Sequence, residues 1–285
     1  PMYIMAVSNV LNMVLDPLFI FGLGIMPPLG VAGAAIATIC AQALAAALLM
    51  VILLRGRGQL HLRRPCWRPN IGLAWRIIRI GIPGSGQMLS RSLMGAVIMR
   101  IVARCGTTAV AAYGTGLRFH MIILMPAFAL GGAAATLVGQ NLGALRPARA
   151  HRVAWAATAL DIGFMLVSAT IMYLFAPQLI GVFNSDPEVV KIGTEYLRVV
   201  SPFYIFAAPG IVLSRALQGA GDTFMPMVIT ILTLWGVQVP VAAWLSHVWQ
   251  PPTVGIWTAM AAAFVMQAVL TISWFETGRW KKIKV

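Results

Sequence analysis

Long apolar runs separated by short polar stretches dominate the chain. Eight windows of 18 or more mainly apolar residues fall at roughly 2–22, 30–54, 80–103, 109–137, 153–176, 194–214, 226–246 and 254–275. Each is long enough to cross a hydrocarbon layer of about 30 Å as a helix. Gly and Pro recur inside the windows, which membrane bundles tolerate better than soluble helices do. None alternates apolar and polar residues over about ten positions, as a membrane β-barrel strand would. The pattern predicts an all-α, polytopic membrane helical bundle with about eight transmembrane helices.

Composition agrees. Hydrophobic residues make up 60% of the 285, and only 10% are charged; the mean hydropathy is +0.85. Soluble domains run nearer half apolar and a quarter charged. The net charge of +14 raises nucleic acid as a partner, so its distribution matters. Arg55, Arg57, Arg63, Arg64, Arg68, Arg76 and Arg79 lie between the second and third windows. Arg146, Arg149 and Arg152 lie between the fourth and fifth, Arg215 between the sixth and seventh, and Arg279, Lys281, Lys282 and Lys284 after the last. If the windows alternate across a membrane, 15 of the 21 basic residues share one side. That is the positive-inside pattern, which puts the start of the chain and its C-terminus in the cytoplasm of a cell with this protein in its inner membrane. The Arg-rich stretch carries no nucleic-acid recognition motif, so the expected partner is the lipid bilayer and not nucleic acid. Cys40, Cys66 and Cys105 are scattered, odd in number and without a CxxC pair, which argues against a disulfide framework or a zinc site.

The two ends of the chain carry a repeat. Pro1-Met2 and Pro226-Met227 each open an apolar span that leads to a proline pair, Pro27-Pro28 or Pro251-Pro252, and then through Gly33 or Gly255 into a second span. The hairpins run in the same direction, so the repeat is parallel. Four spans between 80 and 214 precede the second hairpin. Symmetry therefore leads to the expectation of about four further helices ahead of the first. The resulting organisation is 1–54 as the last two helices of a first lobe and 55–79 as a cytoplasmic Arg-rich linker. Residues 80–276 form a second lobe of six helices, and 277–285 a basic cytoplasmic tail.

Six ordered pieces carry a family resemblance. They are Asn9, Asn12 and Asp16-Pro17-Leu18-Phe19-Ile20-Phe21-Gly22; Gly30-Val31-Ala32-Gly33 through Thr38; Gly81-Ile82-Pro83; Gly139-Gln140-Asn141-Leu142-Gly143-Ala144; and Gln218-Gly219-Ala220-Gly221-Asp222-Thr223, with Pro1-Met2 at the start. In this order and spacing the chain resembles the multidrug and toxic compound extrusion (MATE) transporters, twelve-helix antiporters of two six-helix lobes. The resemblance implies helices five to twelve of that plan, and a DinF-like branch.

Asp16 is the leading candidate for chemistry. A carboxylate inside a span costs roughly 2.5–3.5 kcal/mol on insertion scales and is a functional-site hypothesis by default. Asn12, four residues earlier, shares its helical face. Pro17 cannot donate a backbone hydrogen bond and frees the carbonyl of Met13. Carboxylate, amide and carbonyl oxygens suit a proton or a small hard cation, such as Na⁺ at Asp16. The resemblance agrees, since DinF-like proteins use an Asn and an Asp at this spacing, and Thr38 matches a threonine of the same site. The alternative is a hydrated Asp16 near the outer interface.

The second lobe departs from the family. Where some branches carry an acid pair in helices seven and ten, this chain has Arg91 and Ala207. Arg91 should face the bundle interior or a cavity, as a structural tie or a substrate contact, with Asp161 as a possible partner. Arg100 and Arg104 can snorkel to the interface. Arg118 and His120 read as packing or solvated groups, and Glu195 with Arg198 as a local ion pair. Asp222-Thr223 before Pro226 reads as helix N-capping. No nucleophile–His–acid arrangement, metal-ligand cluster or Walker motif points to an enzyme or an ATP-driven pump.

These readings imply a monomeric secondary antiporter, without a cofactor, that moves lipophilic or cationic small molecules against H⁺ or Na⁺ by alternating access. A lipid-linked precursor flippase, which would need a basic central cavity, and an inactive truncated membrane protein are the alternatives.

Overall fold

In lipid a backbone amide has no water to bond, so each apolar window closes its hydrogen bonds along its own axis. The computed structural model describes residues 2–22, 28–55 and 70–282, and no strand occurs among them. Among the described residues seven helical segments are long and apolar enough to cross a membrane. The eighth window lies on α3 (Ile71–Ala103), whose apolar content is diluted by Ser85, Gln87, Ser90, Arg91 and Ser92. Backbone contacts divide the chain into two compact units, Pro1–Ala74 and Trp75–Val285.

The first unit contains the hairpin of α1 (Met2–Phe21) and α2 (Val31–Arg55). Gly33, Ala37 and Ala41 fall four residues apart on one face of α2 and are its buried residues. Small side chains at this spacing let two membrane helices approach closely. Ser8 Oγ donates to the Ala41 carbonyl at 2.9 Å and ties the helices together near the middle of α2.

The second unit is built around α4 (Thr107–Gly143) and α5 (Pro147–Leu174). They are followed by the short α6 (Ala176–Gly181), then α7 (Pro187–Val200) and α8 (Tyr204–Gly219). A 3₁₀ turn, Ser201–Phe203, joins α7 to α8 in one span. Pro202 has no N–H to return to the preceding turn, which breaks the ladder there. The next span consists of α9 (Phe224–Ile231), a π-helical stretch at Leu232–Gln238 and α10 (Val239–Val248). The last span is α11 (Pro252–Glu276). Tyr113, Tyr196 and Trp257, all buried, form the aromatic centre of the core, with Tyr113 stacked on Trp257 at 5.4 Å and Tyr196 edge-on to it at 4.8 Å.

Helix ends extend past the apolar windows. α3 begins inside the segment read as a linker, because Asn70 Oδ1 accepts from Leu73 N–H at 3.1 Å and caps it. Arg76 and Arg79 therefore sit on a helix, while Arg57, Arg63, Arg64 and Arg68 lie outside the described residues. Arg149 and Arg152 belong to the first turns of α5. Arg215 is not in a loop but on α8, four residues before its end. The start of the tail is also packed: Trp280 is fully buried, stacks on Phe275 at 4.8 Å and donates to its carbonyl at 2.8 Å.

The repeat has a physical basis. A Cβ added to Gly33 would run into the backbone of Phe19, and one added to Gly255 into the backbone of Leu245, at 2.7 Å. In each hairpin a glycine near the start of the second helix lets that helix close on the end of the first. Two of the motif segments also meet. Gly219 abuts the Ala135 backbone, and an added Cβ on Gly139 would lie 3.0 Å from the Gly219 carbonyl oxygen. Gly219→Val should therefore overpack the α4–α8 crossing by about 1–3 kcal/mol or more. We expect it to lose the monodisperse peak on size-exclusion chromatography in detergent. Gly84→Ala, whose methyl would meet nothing within 4 Å, should leave elution and melting unchanged. Equal behaviour of the two variants would refute this view of the crossing.

Candidate functional site

In the first unit the polar residues of two helices converge. Asn12 and Asp16 lie one turn apart on α1, and the Asn12 amide nitrogen is 3.5 Å from both Asp16 Oδ1 and Thr38 Oγ1. These bonds are long against the usual 2.7–3.2 Å, so the amide is loosely held. Thr38 spends its own proton on the Ala34 carbonyl, at 2.9 Å, which leaves its lone pairs facing Asn12. The amide nitrogen thus stands between two acceptors, where a cation would find a carboxylate and a hydroxyl oxygen. Rotating the amide end for end would bring in a third oxygen. Such a set suits a hard cation, and Asp16 alone can take a proton.

In the second unit α3, α4 and α8 line an open cavity of about 500 Å³. Gly81, Gly84, Ser85, Gln87, Met88, Arg91 and Ser92 line it from α3, Phe128 from α4, and Ile211, Ser214, Arg215 and Gln218 from α8. Arg91 therefore faces a cavity, as an intramembrane charge should.

One wall of the cavity is a hydrogen-bond relay. Arg215 Nη1 donates to Gln218 Oε1 at 3.3 Å, and Gln218 Nε2 to Gln87 Oε1 at 2.7 Å. Gln87 Nε2 then donates to Thr230 Oγ1 at 2.7 Å and to the Pro226 carbonyl at 3.1 Å. Each amide is oriented by the next, and the Arg215 guanidinium also lies 5.7 Å from the centre of the Phe128 ring.

Asp161 is not the partner of Arg91. It is fully buried on α5, and neither carboxylate oxygen has a hydrogen-bond partner. Among the described residues the one acid–base pair within 4.0 Å is His151–Glu276, at 3.2 Å. The expected Glu195–Arg198 pair is accordingly absent there. Arg118 lies over the Phe183 ring at 5.4 Å, and buried His120 shares a 2.9 Å hydrogen bond with Tyr204. Arg118 is exposed, while His120 is packed in the interior. Asp222 caps α9 through Met225 N–H at 3.3 Å and also accepts from Trp274 Nε1 at 2.8 Å, which ties α11 to the same turn.

The family model described as MatE matches residues 83–244, more than half of the chain. The chain belongs to the MatE family. Its relatives include the "Probable multidrug resistance protein NorM" of Thermotoga maritima, 30% identical over 99% of this chain and 61% of that protein. Another is the "Probable multidrug resistance protein YoeA" of Bacillus subtilis, 30% identical over all of this chain and 62% of that one. Among solved structures, a crystal structure titled as MATE in the straight conformation superposes with a TM-score of 0.89 at 23% identity. That match covers 97% of this chain and 61% of the other. This MatE chain thus spans about three fifths of the length of the curated relatives it matches.

Sequence reasoning found Arg91 but missed Arg215, Gln87 and Gln218. The available signal was polar density, since Ser85, Gln87, Ser90, Arg91 and Ser92 crowd one otherwise apolar window. Asp161, by contrast, contributes two unbonded oxygens to a packed interior, which costs about 1–3 kcal/mol. We expect Asp161→Leu to raise the melting temperature in detergent by a few degrees. A fall on differential scanning fluorimetry would mean that the carboxylate has a partner after all.

Proposed function

We propose that this MatE protein is a secondary-active efflux antiporter of the DinF-like branch, with Asp16, Asn12 and Thr38 as its coupling site for H⁺ or Na⁺. The observation that carries the proposal is the convergence of carboxylate, amide and hydroxyl in one membrane hairpin, with the Asn12 amide 3.5 Å from each of the other two. The multidrug-resistance names of its relatives support efflux of small lipophilic compounds as the activity. Under this reading, a proton or Na⁺ taken up at Asp16 stabilises one arrangement of the α1–α2 hairpin over another. Only that difference in affinity between two states can drive a transport cycle. Asp16 neutralised by a proton also loses its pull on the Asn12 amide, which is the local change such a cycle requires. The clustered cytoplasmic charges support a multi-pass protein with its C-terminus in the cytoplasm.

The test is dye transport in everted membrane vesicles under imposed H⁺ and Na⁺ gradients, with the chain expressed together with its natural flanking sequence. Asp16→Asn should reduce gradient-driven transport to the empty-vector level while expression and membrane insertion stay normal. Thr38→Ala, which removes one neutral ligand, should raise the cation concentration needed for half-maximal transport by roughly tenfold. Unchanged transport by Asp16→Asn would refute the site.

A further inference from the structure

We propose that the cavity beside α3 is an anion-binding site, and that the compound it holds is an amphiphilic organic anion with a phosphate or carboxylate head. The proposal gives the efflux reading above its substrate class and rests on that reading for its physiological meaning. It departs from the cationic substrates that the sequence leads one to expect.

Charge is the first argument. Two arginines, Arg91 and Arg215, line one cavity, and among the described residues no aspartate or glutamate lines it. Among the described residues no carboxylate lies within 4.0 Å of either guanidinium. Like charges sharing one cavity repel each other and repel any entering cation, and an anion relieves both. A cavity built for cations would carry carboxylates at these positions.

Geometry is the second. The relay through Gln218 and Gln87 to Thr230 and Pro226 holds the Arg215 side chain against one wall. Phe128 supports the guanidinium plane from another side. A guanidinium with donors still free is the preferred receptor for phosphate or carboxylate oxygens, which it can bond in pairs. Ser85, Ser92 and Ser214 add hydroxyl donors around the same space.

Shape is the third. About 500 Å³ accommodates a drug-sized molecule, and Met88, Phe128 and Ile211 supply apolar walls. Gly84 opens directly onto the space, since a Cβ there would meet nothing within 4 Å. The head group thus meets arginines while the body of the compound meets hydrocarbon.

The test measures binding by isothermal titration calorimetry to the protein, with its natural flanking sequence, in phosphatidylcholine nanodiscs. Two probes with the same naphthyl body and heads of opposite charge are compared, 2-naphthyl phosphate and 2-naphthylmethylammonium. We expect the phosphate to bind at least about tenfold more tightly than the ammonium. Arg91→Gln and Arg215→Gln should each weaken the phosphate by roughly tenfold and leave the ammonium unweakened, while Arg91→Lys keeps part of the preference. A purely structural arginine would not move that ratio. Gly84→Leu should fill the cavity and weaken the phosphate with no change in melting temperature. Equal affinity for the two probes, or a ratio unmoved by both glutamine variants, would overturn the proposal. Adding phosphatidylglycerol to the nanodisc distinguishes the source of the anion. Displacement of naphthyl phosphate points to a lipid phosphate, and undiminished binding to a soluble compound. Binding here needs no ion gradient, so failure of the Asp16 transport test would leave this result interpretable, and the reverse holds too.

Discussion

The hydrogen bond from Gln218 to Gln87, 2.7 Å long, joins α8 to α3 along the wall of the cavity. Hydrocarbon cannot compensate an unbonded amide, so the two side chains hold each other and the groups beyond them. α3 depends on bonds of this kind more than its neighbours do. It makes few close backbone approaches to other helices. Gln87 fastens it to Thr230 and Pro226, and Ser90 accepts from Trp235 Nε1 at 2.8 Å. A helix held by side-chain bonds at a distance leaves room beside it, and the cavity occupies that room.

The same constraint explains where glycine is used. At one end of the α4–α8 pair Gly139 and Gly219 bring the backbones together, while at the other His120 and Tyr204 share a hydrogen bond. The glycine end gains dispersion over a close approach, as do the contacts of Gly33 with Phe19 and of Gly255 with Leu245. Small residues thus set the closest helix approaches, and amides with arginine join helices beside the cavity.

The chemistry of the two units is opposite in sign. The first carries an acid, with an amide and a hydroxyl arranged around it. The second carries paired arginines in a cavity, and its fully buried carboxylate, Asp161, does not line that cavity. In a low-dielectric medium such an arrangement separates a site that attracts cations from one that attracts anions.

Much of this was legible in the chain itself. Apolar windows implied the helices because the cost of transferring a residue into lipid is a local quantity, summed along the sequence. The four-residue spacing of Asn12 and Asp16 put them on one face, since helical periodicity is local too. The parallel repeat showed in its prolines and glycines, and each glycine proved to be a point of helix contact. Helix ends were less legible, because Asn70, Arg149 and Arg215 are polar yet lie at or within helices whose hydrogen bonds do not depend on hydropathy. What only the tertiary structure decided is which faces meet. Arg91 shares its cavity with Arg215, more than 120 residues away in sequence, and not with Asp161. That choice depends on how three helices pack around glycines and amides in other parts of the chain, and no local pattern encodes it.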